Sequence, residues 1–314
     1  EEAVVPGTEI DEAGIYTVQR LDRDGYGFEG GLRYDRRTLT ATPLSGGSEI
    51  ERQFDNWSAS GAVFVRPSAN LFLGLSLSRT ERAPSEVELF ADGVHIATAA
   101  YELGDVTLGS EKVTTLEGTV HYDRGAFRGD LHVYAADYDG FIDQRDTGTE
   151  FYFAEEDEYF PIFAYVQTGA EFRGFEAEAA YDVWSSGAQA VTLEGAADYV
   201  DAKTDLGPAA RIPPYSVTGR IRYTSTPADL SLEVHHVGEQ DDVAEFELPT
   251  DGYTQLDLRA DLKLSELGYG REGTTLFIDA RNVTDEEIRY STSVLKDKLP
   301  APGRNIRVGV RAVF

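Results

Sequence analysis

A chain of 314 residues with 56 acidic against 28 basic side chains carries a formal charge of −28, which repels nucleic acid and favours cations or basic partners. Its 41% apolar content includes no run near the roughly 20 consecutive apolar residues a helical span needs. Helical membrane proteins are thereby excluded, but not a barrel crossing with alternating strands of about 10 residues. Cysteine is absent, which removes disulfides, thiolate metal sites and cysteine nucleophiles together, while 31 Gly with 17 Tyr and 16 Phe mark a turn-rich β protein.

Strand-like runs recur along the chain: "GIYTVQRL", "FEGGLRYDRR", "WSASGAVFVRP", "LFLGLSLSR", "VTTLEGTVHYDR", "FRGDLHVYAADYDGFI" and "YVQTGAEFRGFEAEAAYDV" come first. "QAVTLEGAADYVDA", "YSVTGRIRYTS", "LSLEVHHVG", "YTQLDLRADLKL", "TTLFIDARNV" and "NIRVGVRAVF" complete about thirteen, each alternating apolar and polar residues. No amphipathic helix pattern competes with them.

Their connections divide into two classes. Short turns such as "DRDG", "SAN", "RGA", "SSGA" and "TPAD" alternate with long segments at 38–53, 80–110, 144–162, 202–213, 241–250 and 285–303. Short turns at one end and long loops at the other predict an all-β, antiparallel transmembrane β-barrel with periplasmic turns and extracellular loops. A sandwich would scatter loop lengths between both ends, and a propeller or solenoid would repeat a motif at fixed period, which this sequence does not.

The faces agree with this reading. In "VTTLEGTVHYDR", Leu116, Gly118, Val120 and Tyr122 share one side and Thr115, Glu117, Thr119 and His121 the other, one suited to lipid and one to a wet lumen. The aromatics near strand ends, Tyr34, Phe64, Tyr122, Tyr134, Phe141, Tyr181 and Tyr223, are expected in interfacial girdles. Thirteen antiparallel strands, an odd number, bring the first and last together parallel, so this stretch should not close on itself. Counting back from the final strand makes "EEAVVPGTEIDEA" the tail of an extracellular loop.

The closing stretch "DARNVTDEEIRYSTSVLKDKLPAPGRNIRVGVRAVF" resembles the ending of TonB-dependent outer-membrane receptors: a strand into an Asn-x-Thr-Asp turn, a long loop, then Pro-Gly-Arg-Asn and a last strand ending in Phe. "RIPPYSVTGRIRY" at 211–223 is similar to the family's loop-to-strand entry. The resemblance implies that 1–314 is the C-terminal portion of such a barrel, about 13 strands of a 22-stranded wall. The family's N-terminal plug, with its TonB-binding segment, and the first strands are expected to lie outside this sequence. It further implies location in the outer membrane of a Gram-negative bacterium, among lipid and lipopolysaccharide, and energy from the TonB-ExbB-ExbD system through the plug. Phe314 would be the signal read by the outer-membrane assembly machinery, and other surface proteins are further expected partners.

Within the family, "ELFADGVHIATAAYELGD" at 88–105 resembles a loop of zinc-uptake receptors. His95 there stands among Glu88, Asp92, Glu102 and Asp105, and one imidazole with folded-back carboxylates can hold Zn²⁺. His121, His132 and His235 fall on polar faces and form a candidate lumenal path for a cation, whereas His236 points to the face opposite His235. Acidic and aromatic residues mix in "EFYFAEEDEYFPIFAY" (150–165) and "EQDDVAEFELPTDG" (239–252), where carboxylates would concentrate cations.

No G-x-S-x-G, H-E-x-x-H or phosphate-binding glycine loop occurs, so no enzyme is expected, and no cofactor is required. The resulting expectation is import of a scarce nutrient, zinc or a metal chelate, as cargo. A siderophore or haem receptor is the rival within the class, and a passive porin or a structural, adhesive surface barrel the rival outside it.

Overall fold

The computed structural model describes residues 3–155 and 157–312. Sixteen strands form in chain order: β1 Thr8–Arg23, β2 Tyr26–Ala41, β3 Ile50–Ser68, β4 Leu71–Arg82, β5 Asp92–His95, β6 Ala100–Leu103, β7 Glu111–Arg124 and β8 Phe127–Phe153. They continue as β9 Glu158–Ser186, β10 Gln189–Thr204, β11 Gly207–Pro208, β12 Ser216–Thr224, β13 Ala228–Val237, β14 Tyr253–Lys263, β15 Thr275–Arg281 and β16 Asn305–Arg311.

Thirteen of these make one path, β1-β2-β3-β4-β7-β8-β9-β10-β12-β13-β14-β15-β16, while β5, β6 and β11 are short pieces within loops. Neighbours on the path are antiparallel throughout, and within the described residues β1 and β16 do not pair with each other, as the odd count requires. The connections sort by end as the sequence predicts. Residues 24–25, 69–70, 125–126, 187–188 and 225–227 turn at one end, joined there by the longer 264–274, and the longer loops sit at the other.

Alternation is converted into two distinct surfaces by register. Leu193 faces Ile221, Ile221 faces Leu232, Leu232 faces Leu258, Ala260 faces Ile278 and Ile278 faces Val308. Most of these side chains are exposed, so a continuous apolar stripe crosses the strands on one face, the arrangement a bilayer rather than water would cover. The other face carries charge: Arg220 reaches Glu194 at 2.7 Å and also pairs with Glu233, and Arg307 lies 2.7 Å from Asp279.

Three sequence expectations are corrected here. Segments 38–53 and 144–162 are mostly strand, leaving loops of only 42–49 and 154–157, and Thr8–Ala13 belong to β1 instead of a loop tail. Phe64, Tyr134 and Phe141 are not girdle residues. Phe64 stacks on Phe72 at 5.5 Å on the polar face, with Arg20 and Arg66 over its ring; Tyr134 covers Gly174 on that face; and Phe141 clusters with Tyr138 and Phe172. Tyr34, Tyr122, Tyr181 and Tyr223 do share the parity of the apolar stripe. Phe314, the expected assembly signal, lies outside the described residues.

The two longest strands set the architecture of the loop end. In β8 the apolar-face positions run through Leu131, Val133 and Ala135 and then become Asp137 and Asp139, so the wall leaves its apolar band near Ala135. From Asp137 to Phe153 the β8–β9 hairpin continues for about 50 Å at roughly 3.3 Å per residue. It is a rigid projection beyond the band.

A loop folded onto the polar face, and its histidine

Residues 83–110, between β4 and β7, fold back over the polar face of the wall. The helix α1, Glu86–Phe90, starts at Ser85 in a capping box: Ser85 Oγ accepts from the Glu88 amide at 3.2 Å, and Glu88 Oε2 accepts from the Ser85 amide at 2.7 Å. Leu89 and Phe90 then enter a core with Leu39, Phe54, Leu108 and Ile142, all buried. Leu39 and Phe54 occupy polar-face positions of β2 and β3, where the loop covers them.

Behind α1 the chain must return past the helix end. The Gly104 amide donates to Ala91 O at 2.7 Å, and a Cβ on Gly104 would stand 2.7 Å from Leu89 C and from Phe90 N. Glycine is needed here for close backbone approach, since backbone cannot yield. The return builds the hairpin β5–β6, in which Glu102 is opposite Gly93 and His95 opposite Ala100. Strand β6 also pairs in parallel with β9, Tyr101–Leu103 against Ile162–Ala164. The histidine loop is thus a strand of the main sheet's margin.

Of the expected ligand set, the structure brings two together. His95 Nδ1 lies 2.7 Å from Glu102 Oε1, with the Glu102 side chain 9% exposed and His95 44% exposed. A carboxylate only accepts, so Nδ1 carries the proton, and in the neutral imidazole Nε2 keeps the lone pair that can accept a hydrogen bond or bind a metal. Tyr165 of β9 lies beside this pair: burial, reinforced by the Glu102 and Glu88 charges, pushes its phenol up to about 12. Tyr165 was not singled out from the sequence, where it is one of 17 tyrosines.

The remaining carboxylates have structural partners. Glu88 closes the capping box and pairs with Arg82 at 2.9 Å. Asp105 accepts from the Thr107 amide at 2.7 Å, and Asp92 accepts from the Tyr101 hydroxyl at 2.7 Å. Among the described residues no three His, Asp or Glu side chains are grouped so as to hold a metal ion.

The candidate path histidines all lie on the polar face, each with a neighbour: His121 with Asp130 at 2.6 Å, His132 with Glu117 at 3.4 Å, and His235 with Thr218 at 2.9 Å. His121 and His132 are diagonal neighbours on β7 and β8, whereas His235 is on β13, four strands further along, beside a cavity of about 210 Å³ with Asp198, Tyr253, Arg289 and Tyr290.

The loop end is also fastened together. Lys296 Nζ lies 2.8 Å from Glu247 Oε1 and donates to Ser291 O at 2.7 Å; Glu247 Oε2 accepts from the Arg211 amide at 2.9 Å. At the base of the 282–304 loop, the Arg304 amide donates to Asp285 Oδ1 at 2.8 Å and its guanidinium adds an ion pair at 3.3 Å. These contacts hold Asp285 below the usual carboxylate range, the amide first and the guanidinium second. They join the Asn-x-Thr-Asp and Pro-Gly-Arg-Asn motifs.

One antiparallel path with an apolar outer stripe, a charged inner face, turns at one end and infolded loops at the other is the wall of an outer-membrane type of β-barrel. The family model described as "TonB dependent receptor-like, beta-barrel" matches residues 3–283. The chain belongs to that family of receptors, which reside in the outer membrane of Gram-negative bacteria.

Solved structures with the same fold include a copper transporter, OprC (TM-score 0.77, 16% identity, 96% of this chain and 48% of that one). The FrpB iron transporter of Neisseria meningitidis matches with TM-score 0.69 and 16% identity over 98% of this chain and 46% of that one. The hemophore receptor HasR of Serratia marcescens, solved with its hemophore HasA and heme, matches with TM-score 0.69 and 18% identity over 98% of this chain and 52% of that one. The chain spans about half the length of these structures.

Proposed function

We propose that this chain is the C-terminal part of the barrel of a TonB-energised receptor that takes a metal chelate, or zinc itself, across the outer membrane. The observation that carries the reading is the His95–Glu102 pair: an exposed imidazole whose Nδ1 is held by a buried carboxylate, leaving Nε2 directed by its support as a metal ligand. A bare Zn²⁺ wants four ligands, and a chelated metal with one vacant position needs one. The single supported imidazole therefore favours a chelate. Bare zinc remains the second reading, favoured by the resemblance of 88–105 to the zinc-uptake loop, and requires further ligands from the plug.

The neighbours' titles, a copper transporter, an iron transporter and a hemophore receptor, support metal-bearing cargo of some kind without selecting among them. In the proposed cycle the loops take cargo from outside, the plug completes the site, and TonB acting on the plug releases it. Cargo metal is substrate here, and no catalytic role is proposed.

Calorimetry on the intact receptor in detergent tests this, with Zn²⁺ and an iron porphyrin as separate probes and wild type beside His95→Ala. Binding of either probe weakened at least tenfold, about 1.4 kcal/mol, is the expected result and selects the cargo class. Binding unchanged by the substitution, or absent for both probes, overturns the assignment to His95.

A further inference from the structure

The projecting end of the β8–β9 hairpin has two unlike faces. On one, Phe153 and Phe160 stack at 5.6 Å, are 4% and 3% exposed, and pack on Val94 of the histidine loop. On the other, Tyr152 and Tyr159 pair directly across the strands with ring centroids 5.1 Å apart, yet are 46% and 65% exposed. Packing on the first face fixes the second. The Tyr152 hydroxyl donates to Asp157 Oδ1 at 2.6 Å, which further limits that ring. Exposed Glu150 lies two residues from Tyr152 on the same face, and exposed Glu155 and Asp157 stand at the hairpin turn beside the pair, whereas Glu158, opposite Phe153, belongs to the other face.

We propose that this outward tyrosine face is a docking surface for a soluble or surface-anchored protein presenting a basic rim around an apolar patch. Rigid aromatic side chains give large contact area at little entropic cost, the composition of interface hot spots. The acidic rim selects the partner by charge. Lipopolysaccharide and anionic lipid are repelled by it, and a second copy of this chain brings its own charge of −28. A metal ion does not account for the acids, because among the described residues they form no ligating group of three.

Strand addition is not the mode. The β7-side edge of β8 beyond Asp139 is occupied by side chains: Ile142 N donates to Glu111 Oε2 at 2.9 Å, Gly140 O accepts from Gln167 Nε2 at 3.0 Å, and Gly148 N donates to Asp146 Oδ1 at 2.7 Å. The edge of β9 is taken by β6. These contacts close the edges between Gly140 and Gly148 and over Ile162–Ala164, and the exposed side-chain face at the tip, about 50 Å along the strand from the apolar band, is the surface offered to a partner.

The test places a photo-crosslinking amino acid at Tyr159 in the full-length receptor in intact cells, with a control at Gly46 in the 42–49 loop. The protein adduct specific to position 159 is then purified and its affinity for the detergent-solubilised receptor measured. The expected result is a basic protein whose binding weakens at least tenfold in Tyr152→Ser/Tyr159→Ser, weakens with Glu150→Gln/Asp157→Asn, and falls with added salt. An adduct with lipopolysaccharide, an adduct with the receptor itself, the same adducts at both positions, or an affinity indifferent to the tyrosine substitutions each overturns the proposal. Unchanged zinc or porphyrin binding in the same variants separates this surface from the His95 site.

Discussion

Lys296 and Glu247 form a buried ion pair at 2.8 Å, with side chains 7% and 11% exposed, between two loops that rise from different strand pairs. Through the Arg211 amide on Glu247 the same pair reaches a third loop. Removing one partner leaves the other charge buried and unmatched, which costs about 3–5 kcal/mol. Lys296→Met should therefore loosen 205–215, 238–252 and 282–304 together, read as faster amide exchange or earlier protease cleavage in all three. Adding Glu247→Leu should recover most of the protection, since an apolar pair of similar volume carries no desolvation penalty.

Acidification should release the base of the 282–304 loop. Asp285 has its folded pKa depressed by Arg304, so its contribution is fully present above the ordinary carboxylate value near 3.9 and is lost as pH falls through the lower, folded value. Asp285→Asn should lower thermal stability at pH 6 and differ progressively less from wild type as the pH falls below about 4. A difference that is constant across this range would remove the charge from the explanation.

Glu102 is buried against His95 Nδ1, so on the proposed reading it orients the imidazole without itself meeting cargo. Glu102→Gln should weaken binding of the probe that His95→Ala identifies by roughly 10–100-fold, and Glu102→Ala no less, as loss of an outer partner of a metal-ligating imidazole does. If Glu102→Ala binds as wild type does, the carboxylate is only filling space.

Gly104→Ala inserts a methyl against the backbone of Leu89 and Phe90, which cannot move aside as a side chain would. The expected cost is about 1–3 kcal/mol, appearing as a lower unfolding temperature and as weaker cargo binding, because β6 carries both Gly104's neighbour Leu103 and Glu102. Gly61→Ala, at a strand glycine with open space around it and no positive φ, is the control for cargo binding.

The wall was legible in the sequence because its information is local. Alternation such as Leu116 against Glu117 fixes a face within a few residues, and register then aligns the faces of neighbouring strands. What failed was position along a strand treated as if it gave a face: Phe64 stands near a strand end and Tyr134 well inside the longer β8, but parity directs both to the charged side, and for Phe141 a bulge between Tyr138 and Phe141 alters the register. The 150–160 segment reads as a loop because acids crowd its aromatic alternation. Its strand character comes from cross-strand partners.

The candidate site was half legible. His95 and Glu102 are seven residues apart, a spacing a tight hairpin brings together. Tyr165 arrives by parallel pairing of β6 on β9, and Lys296 meets Glu247 from 49 positions away, so neither leaves a local trace. Glu88 and Asp105, which spacing alone places near His95, are consumed by the capping box and by Thr107, competing local hydrogen bonds that composition does not reveal.

The 83–110 loop begins and ends at Arg82 and Glu111, and these two side chains meet at 3.2 Å. With its two stems clasped, the loop is tied to the wall at its base as well as through its packed interior. Its interior is held by Leu89 and Phe90, so His95 is presented in a fixed direction before any cargo arrives. The entropy of ordering the loop is spent during folding, so none of it would have to be spent at capture on the proposed reading. On the proposed reading, exchange of cargo has to work against the core around Leu89 and Phe90 and the pairing of β6 on β9 as well as the clasp, so a substitution at Arg82 alone should loosen the stems and leave His95 presented as before.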